Sequence, residues 1–472
     1  MTVTAAAAQV PTPTLEGPVT GGTGEPFIAA TTFDLATVGY TQAEYFISGT
    51  ANAYTNVGLV NSDGMWTLTA GDSAAYKTRI LVYRPIRPGK FRGTVLVEWL
   101  NVSGGLDAAP DWIMSHTELI RRGYAWVGVS AQLAGVEGGG GVVGLPSMAL
   151  KEVDPVRYAS LVHPGDSFSY DIFSQVGQSV RQPAAANPLG DLRITHVIAA
   201  GESQSAFRLV SYVNGIQPLH GLYDGFLIHS RGDGAAPISE APQSAINAPT
   251  PALIRTDLAI PVLTFQTETD MNFLGYFNAR QPDTDRFRLW EVAGTAHADT
   301  YTTTVGPTDL GDSPDVANVL ITTEPVPGLI SCAQPINSGP QHWVLKAAIH
   351  ALNRWVRTGR PPAIAPRLDV TAPPITIQRD EHGNALGGIR SPWVDAPVAS
   401  HSGSGQTGSL LCLLFGTTYA LDGPTLDALY PSHRDYVRAV RGSLREAARQ
   451  RWIRRRDARL IKKAAEASDI GK

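Results

Sequence analysis

The stretch Ile194–Arg208, ITHVIAAGESQSAFR, constrains this chain more than any other. An apolar run rich in β-branched residues passes through Gly-Glu-Ser-Gln-Ser straight into a helical pattern, so a strand must end and a helix begin within that turn. Ser203 stands at its apex. A serine there is lifted off the edge of a sheet, beside helix-start amides that carry fixed partial positive charge. The placement suits an attacking oxygen.

Serine at its free pKa is a poor nucleophile, so it needs a base within hydrogen-bond reach and a third group to orient that base. Later strands offer both. The run Val262–Gln266 closes on Glu268-Thr269-Asp270, and RFRLWEVAGTAHADTY reads as a strand followed by a small-residue loop that carries His297. Asp270 is the favoured acid, Glu268 the alternative, and Asp233, after the strand in YDGFLIHS, an outsider. Other histidines compete less well: His342 and His350 lie on the helical pattern HWVLKAAIHALNRWV, and His382 sits in the hairpin-like turn EHGNALGG. Ser, acid, His is the chain order of the α/β-hydrolase fold. One departure is visible, because Ser205 stands where G-x-S-x-G has its last glycine.

Upstream, GTVLVE, the loop WLNVSGGLD, the helix PDWIMSHTELIRRG and the strand YAWVGVSAQ form a βαβ unit, which implies parallel neighbours and a right-handed crossover. The Leu100–Val102 loop then opens onto the crevice that holds Ser203. The predicted oxyanion donors are the backbone N–H of Gln204 and one from this loop, assigned to Asn101.

At 472 residues the chain reads as one enlarged catalytic domain with appendages. Residues 1–26 read as a flexible arm or surface strap, 27–360 as the catalytic domain, 361–430 as a Pro/Gly-rich wrapping extension and 431–472 as a basic helix. Within the catalytic domain, 133–181 exceeds what a connection needs and reads as a cap or lid, although SFSYDIFSQVGQSVRQP looks helical and can complete the crossover. The Gly-rich run Gly138–Gly141 lacks both nucleotide-binding glycine patterns, and no cofactor or metal is expected.

No apolar run is long enough to span a membrane, and the first Lys or Arg is Lys77, so no export signal is recognised and a cytoplasmic location is expected. Two cysteines, Cys332 and Cys412, exclude a disulfide framework and a cysteine metal cluster; they could pair with each other, but two buried free thiols are the favoured reading. The net charge of −4 is uneven, because Arg434–Lys463 holds twelve Lys or Arg against three acids. A solvated helix docked on an acidic body is favoured there over a nucleic-acid or membrane stripe. Oligomeric state is left open.

Taken together, GESQSAFRL, QTETD, DRFRLWEVAGTAHAD and QPINSGPQHWVLKAAIHALNRWVRTGRPP resemble the large bacterial group described as alpha/beta-hydrolase domain-containing proteins, from about Phe27 to Tyr436. The resemblance implies a mostly parallel sheet with helices on both faces and carboxylesterase-type activity on a small-molecule ester. It also implies that Ser203 and His297 match the nucleophile and base, and the Glu268/Asp270 pair the acid segment. A lyase or acyltransferase on the same fold, or a non-catalytic binding protein that keeps the fold, are the alternatives.

Overall fold

Nine strands form the main sheet: β1 (Thr14–Glu16), β2 (Tyr40–Asn56), β3 (Leu68–Pro85), β4 (Thr94–Trp99), β5 (Ala125–Val129), β6 (His196–Glu202), β7 (Gly225–His229), β8 (Val262–Gln266) and β9 (Phe287–Glu291). The structure is a computed structural model describing residues 10–139, 141–184 and 186–472. The spatial order is β1-β2-β3-β5-β4-β6-β7-β8-β9. Pairs from β5 to β9 are parallel, and β1, β2 and β3 add an antiparallel flank.

Seven helices matter for the site: α1 (Pro110–Arg122), α2 (Ser169–Arg181), α3 (Gln204–Ser211), α4 (Glu268–Asn272), α5 (Gln341–Thr358), α6 (His433–Gln450) and α7 (Arg455–Ala467). The parallel strands are apolar throughout because both of their faces are covered. Val95, Val97 and Trp99 of β4 pack into the core shared with Phe173 of α2 and Leu209 of α3. Leu96, between them, points the other way, into the core shared with Trp112 of α1 and Leu345 of α5. The period-2 alternation of the strand thus feeds two separate cores.

Four expectations need correction. The arm predicted over 1–26 is not all arm: residues 1–9 lie outside the described residues, but Thr14–Glu16 pairs with Phe46–Ser48 as the edge strand β1. The region 133–181 is not all cap, because α2 is buried against the sheet, with Asp171 accepting hydrogen bonds from the Tyr54 hydroxyl (2.7 Å) and the Asn52 amide (2.9 Å). Only its first part is loop-like, and it leans on the loop after β4, where Met148 N–H donates to the Gly105 carbonyl at 2.8 Å. The single basic helix is two helices, since Arg451 takes a left-handed conformation (φ 66°) that ends α6 and turns the chain into α7.

The fourth correction concerns the cysteines. Cys332 and Cys412 are not free thiols but form a disulfide, across a sequence separation of 80. Both belong to a small buried cluster with Ile336 and Phe415. Within the extension 361–430, Ala399–Ser402 pairs with Thr417–Ala420, and Arg379 and Gly403 reach the catalytic domain at Glu268.

Candidate active site

Because β4, β6, β7, β8 and β9 are parallel, their C-terminal ends share one edge of the sheet, and each predicted site residue follows one of those ends. At the end of β6 the chain turns so sharply that Ser203 adopts φ 57°, ψ −122°, a region that costs a non-glycine residue about 1–3 kcal/mol. Two backbone hydrogen bonds hold it there. Ser203 N–H donates to the His229 carbonyl at 2.9 Å, and the Ser203 carbonyl accepts from Phe207 N–H at 3.1 Å.

Ser205 fits one turn into the helix because its neighbour across the turn is a glycine. A Cβ on Gly201 would lie 3.1 Å from Ser205 Cβ and 3.0 Å from Leu209 Cδ1, so the glycine at 201 relieves a tight contact with the serine methylene. With the first glycine kept, the strand and helix still approach closely.

Ser203 Oγ lies 2.7 Å from His297 Nε2, and His297 Nδ1 lies 2.7 Å from Asp270 Oδ1. Asp270 is the third residue of α4 and caps its start: its Oδ2 accepts from Thr267 N–H at 2.7 Å while Thr267 Oγ1 accepts from Asp270 N–H at 3.4 Å. This reciprocal box fixes the carboxylate and aims its free oxygen at the imidazole. With Nδ1–H donating to Asp270, Nε2 is left as an acceptor for the Ser203 hydroxyl.

Glu268, the alternative acid, is brought near but does not face the imidazole. Its Oε1 accepts from Gly294 N–H at 2.7 Å, and its Oε2 accepts from Arg379 Nη2 at 2.8 Å and Gly403 N–H at 3.1 Å. It therefore ties the extension to the turn before His297. Asp233 is engaged elsewhere, accepting from Asn278 Nδ2 at 3.2 Å. His342 is buried and stacks on the Tyr301 ring with centroids 3.5 Å apart, away from this cluster.

Of the predicted oxyanion donors, Gln204 N–H opens α3 and has no hydrogen-bond partner among the described residues. Asn101 is a correction. Its N–H donates to the Ala108 carbonyl at 2.9 Å in a short bridge, so it has no proton to offer an incoming oxyanion. The next amide in the same loop, that of Val102, has no partner among the described residues. The Asn101 side chain does enter the site: Nδ2 donates to the Glu202 carbonyl (3.1 Å) and carboxylate (3.2 Å).

Glu202 is the residue sequence reasoning missed. Its carboxylate oxygen Oε1 lies 3.3 Å from His297 Nε2, the nitrogen that also meets Ser203. Burial pushes its carboxyl up to about 7, although His297 and His229 pull the other way. The signal was available in the strand period, because Ile198 and Ala200 face the α1/α5 core and Glu202 continues that row. Burial also opposes a charge on His297, but the Glu202 carboxylate and the hydrogen bond and charge of Asp270 outweigh it, and its pKa is raised.

Beneath the turn, a second buried set supports the first. His229 Nδ1 donates to Asp111 Oδ1 at 2.8 Å, and Glu98 accepts the α1 amides of Asp111 and Trp112 at 2.9 Å each. Gln341 Nε2, at the start of α5, donates to His229 Nε2 at 3.1 Å. These polar groups form a connected network, in which Asp111 Oδ2 and Gln341 Oε1 are left without a partner among the described residues.

The arrangement is matched by a family model described as alpha/beta hydrolase domain, over residues 15–463. The chain belongs to that family. The match takes in the extension, α6 and most of α7. No match among curated proteins is found. Among solved structures, the chain is similar to a glucuronoyl esterase from Teredinibacter turnerae T7901, with 13% identity, TM-score 0.30, and 60% of this chain and 74% of that one covered. It is also similar to a fungal esterase from Rhizomucor miehei (14% identity, TM-score 0.28, 55% and 78% covered). A glucuronoyl esterase from Solibacter usitatus compares likewise (12% identity, TM-score 0.30, 61% and 82% covered). Likeness at this level carries no argument about substrate. No helix among the described residues is long and apolar enough to cross a membrane.

Proposed function

We propose that this chain is a serine hydrolase that cleaves carboxylic esters of small molecules through an acyl-enzyme, with Ser203 as nucleophile, His297 as base and Asp270 as the orienting acid. The observation that carries the reading is the unbroken pair of 2.7 Å hydrogen bonds from Ser203 to His297 to Asp270, with the serine held at a strained apex. Ser203 Oγ forms a bond to the ester carbonyl carbon while His297 Nε2 takes its proton. The carbonyl electrons move onto oxygen, where the Gln204 and Val102 amides and the start of α3 stabilise the charge. Collapse expels the alcohol, which leaves with the proton held by His297. Water then adds to the acyl-enzyme by the same route and releases the acid.

Short p-nitrophenyl esters test the reading directly. Ser203→Ala is expected to lower kcat by at least about 10³-fold with the fold retained, and a fluorophosphonate probe is expected to label the wild-type chain on Ser203. Undiminished turnover by the variant would end the proposal.

A further inference from the structure

The basic tail closes a second cavity that shares no residue with the site above. It lies between α1, α5, the turn at 360–363 and the α6–α7 pair, and its volume is about 870 Å³. Six of the arginines lining it, Arg354, Arg360, Arg451, Arg455, Arg456 and Arg459, have no ion-pair partner among the described residues. The one carboxylate in the wall, Glu118, is already shared by Arg121 at 3.1 Å, Arg122 at 3.2 Å and Arg454 at 3.0 Å. The local field registers on His350, which burial, then Arg454, Arg122, Arg354 and Arg451, push down to about 3.

Two further sets of unsatisfied donors meet at the cavity. Helix α7 starts at its rim with Arg454 as N-cap and no side-chain cap, so the first amides of a 13-residue helix stand open beside Arg455 and Arg456. Trp290, also in the wall, is buried with its indole N–H unpartnered. Ala347, Ala351 and Ile453 supply apolar wall between the cations.

Positive charge gathered around one concavity repels itself, most strongly at low ionic strength. All six arginines are exposed and border one concavity, whose wall also holds the buried Trp290. Guanidinium forks match phosphate oxygens two at a time, and six of them exceed what a single monoanion can balance. The volume suits a small molecule, and concavity disfavours a duplex or a bilayer surface.

We propose that this cavity binds a small molecule carrying two or more phosphate groups, held by Arg354, Arg360, Arg451, Arg455, Arg456 and Arg459 with the open amides at the start of α7. The test is calorimetric titration of the full chain with inorganic tripolyphosphate at fixed ionic strength, with orthophosphate and sulfate in parallel. One site per chain is expected, with tripolyphosphate at least about tenfold tighter than orthophosphate. Arg354→Gln and Arg459→Gln are each expected to weaken it about tenfold, while Arg434→Gln, on the same tail but outside the cavity, leaves it unchanged. Circular dichroism and unfolding without ligand check each variant, and Arg459→Lys, which keeps the charge but not the fork, is expected to fall between. Failure to saturate at one site, or equal loss in Arg434→Gln, overturns the proposal. So does binding of anionic phospholipid vesicles or a DNA duplex with the same arginine dependence that tripolyphosphate cannot compete away.

Discussion

Glu202 Oε1 lies 3.3 Å from His297 Nε2, so a buried carboxyl and the Ser203 hydroxyl meet at one nitrogen of one imidazole. The two acidic neighbours of His297 therefore act on opposite nitrogens. Asp270 sets the tautomer from Nδ1, and Glu202 sits where the proton must go when Ser203 attacks.

The first prediction follows from that geometry. Glu202 and His297 titrate as a pair, and the Glu202 charge helps to raise His297. In Glu202→Gln the base should lose its proton at lower pH, moving the acid limb of kcat/KM down by on the order of one pH unit. An unmoved limb would show that the carboxyl is silent.

Stability gives the second, with its sign set by the raised pKa of Glu202. Between 4.5 and about 7 the folded chain holds a proton that the unfolded chain has released, so stability falls as pH rises through that window. Glu202→Gln removes the fall. Compared with wild type at pH 8, it should gain up to about 3 kcal/mol relative to the same comparison at pH 4, read by denaturant unfolding.

For the acids, Asp270→Asn should lower kcat by on the order of 10⁴-fold, since the amide leaves the imidazole in the wrong tautomer. Glu268→Gln should behave differently. It weakens the buried tie to Arg379 and costs about 2–3 kcal/mol of stability, with kcat within about tenfold of wild type. The reverse pattern would exchange their roles.

Gly403 presses on the acid turn from the extension. A Cβ there would lie 2.4 Å from Thr269 N and 2.5 Å from Glu268 Cβ, too close for α4 to stay in place. Thr269 also donates to the Gly403 carbonyl at 2.7 Å. Gly403→Ala should lower kcat by about 10–100-fold through displacement of Asp270, more than its effect on KM. Full activity in this variant would mean that the turn yields without moving the acid.

Removing the Cys332–Cys412 bridge opens a connection spanning a separation of 80, so Cys332→Ser/Cys412→Ser should lose about 3–4 kcal/mol of unfolding free energy. Alkylation of the denatured, unreduced chain should find no free thiol.

What the sequence determined by itself were the features in which chemistry is local or periodic. Continuous apolar runs alternating with helical patterns require a parallel sheet covered on both faces, and β4, β6 and β7 are such strands. A strand that enters a helix through Gly-Glu-Ser-Gln-Ser leaves Ser203 little choice of conformation, and His297 is legible as a histidine in a loop of small residues after a strand. Tertiary structure decided everything that depends on which of several suitable groups arrives first. Asp270 and Glu268 are two residues apart and chemically alike, and only the cap with Thr267 aims one at the imidazole while Arg379 claims the other. The amide of Asn101 was spent on Ala108, a partner seven residues away, leaving that of Val102. Cys332 found Cys412 because the extension folds back on the catalytic domain, and arginines of both tail helices border one concavity because Arg451 turns the chain between them. Partners as distant as Glu268 and Arg379 or Cys332 and Cys412 are set by packing of the whole chain, and short-range pattern carries no information about them.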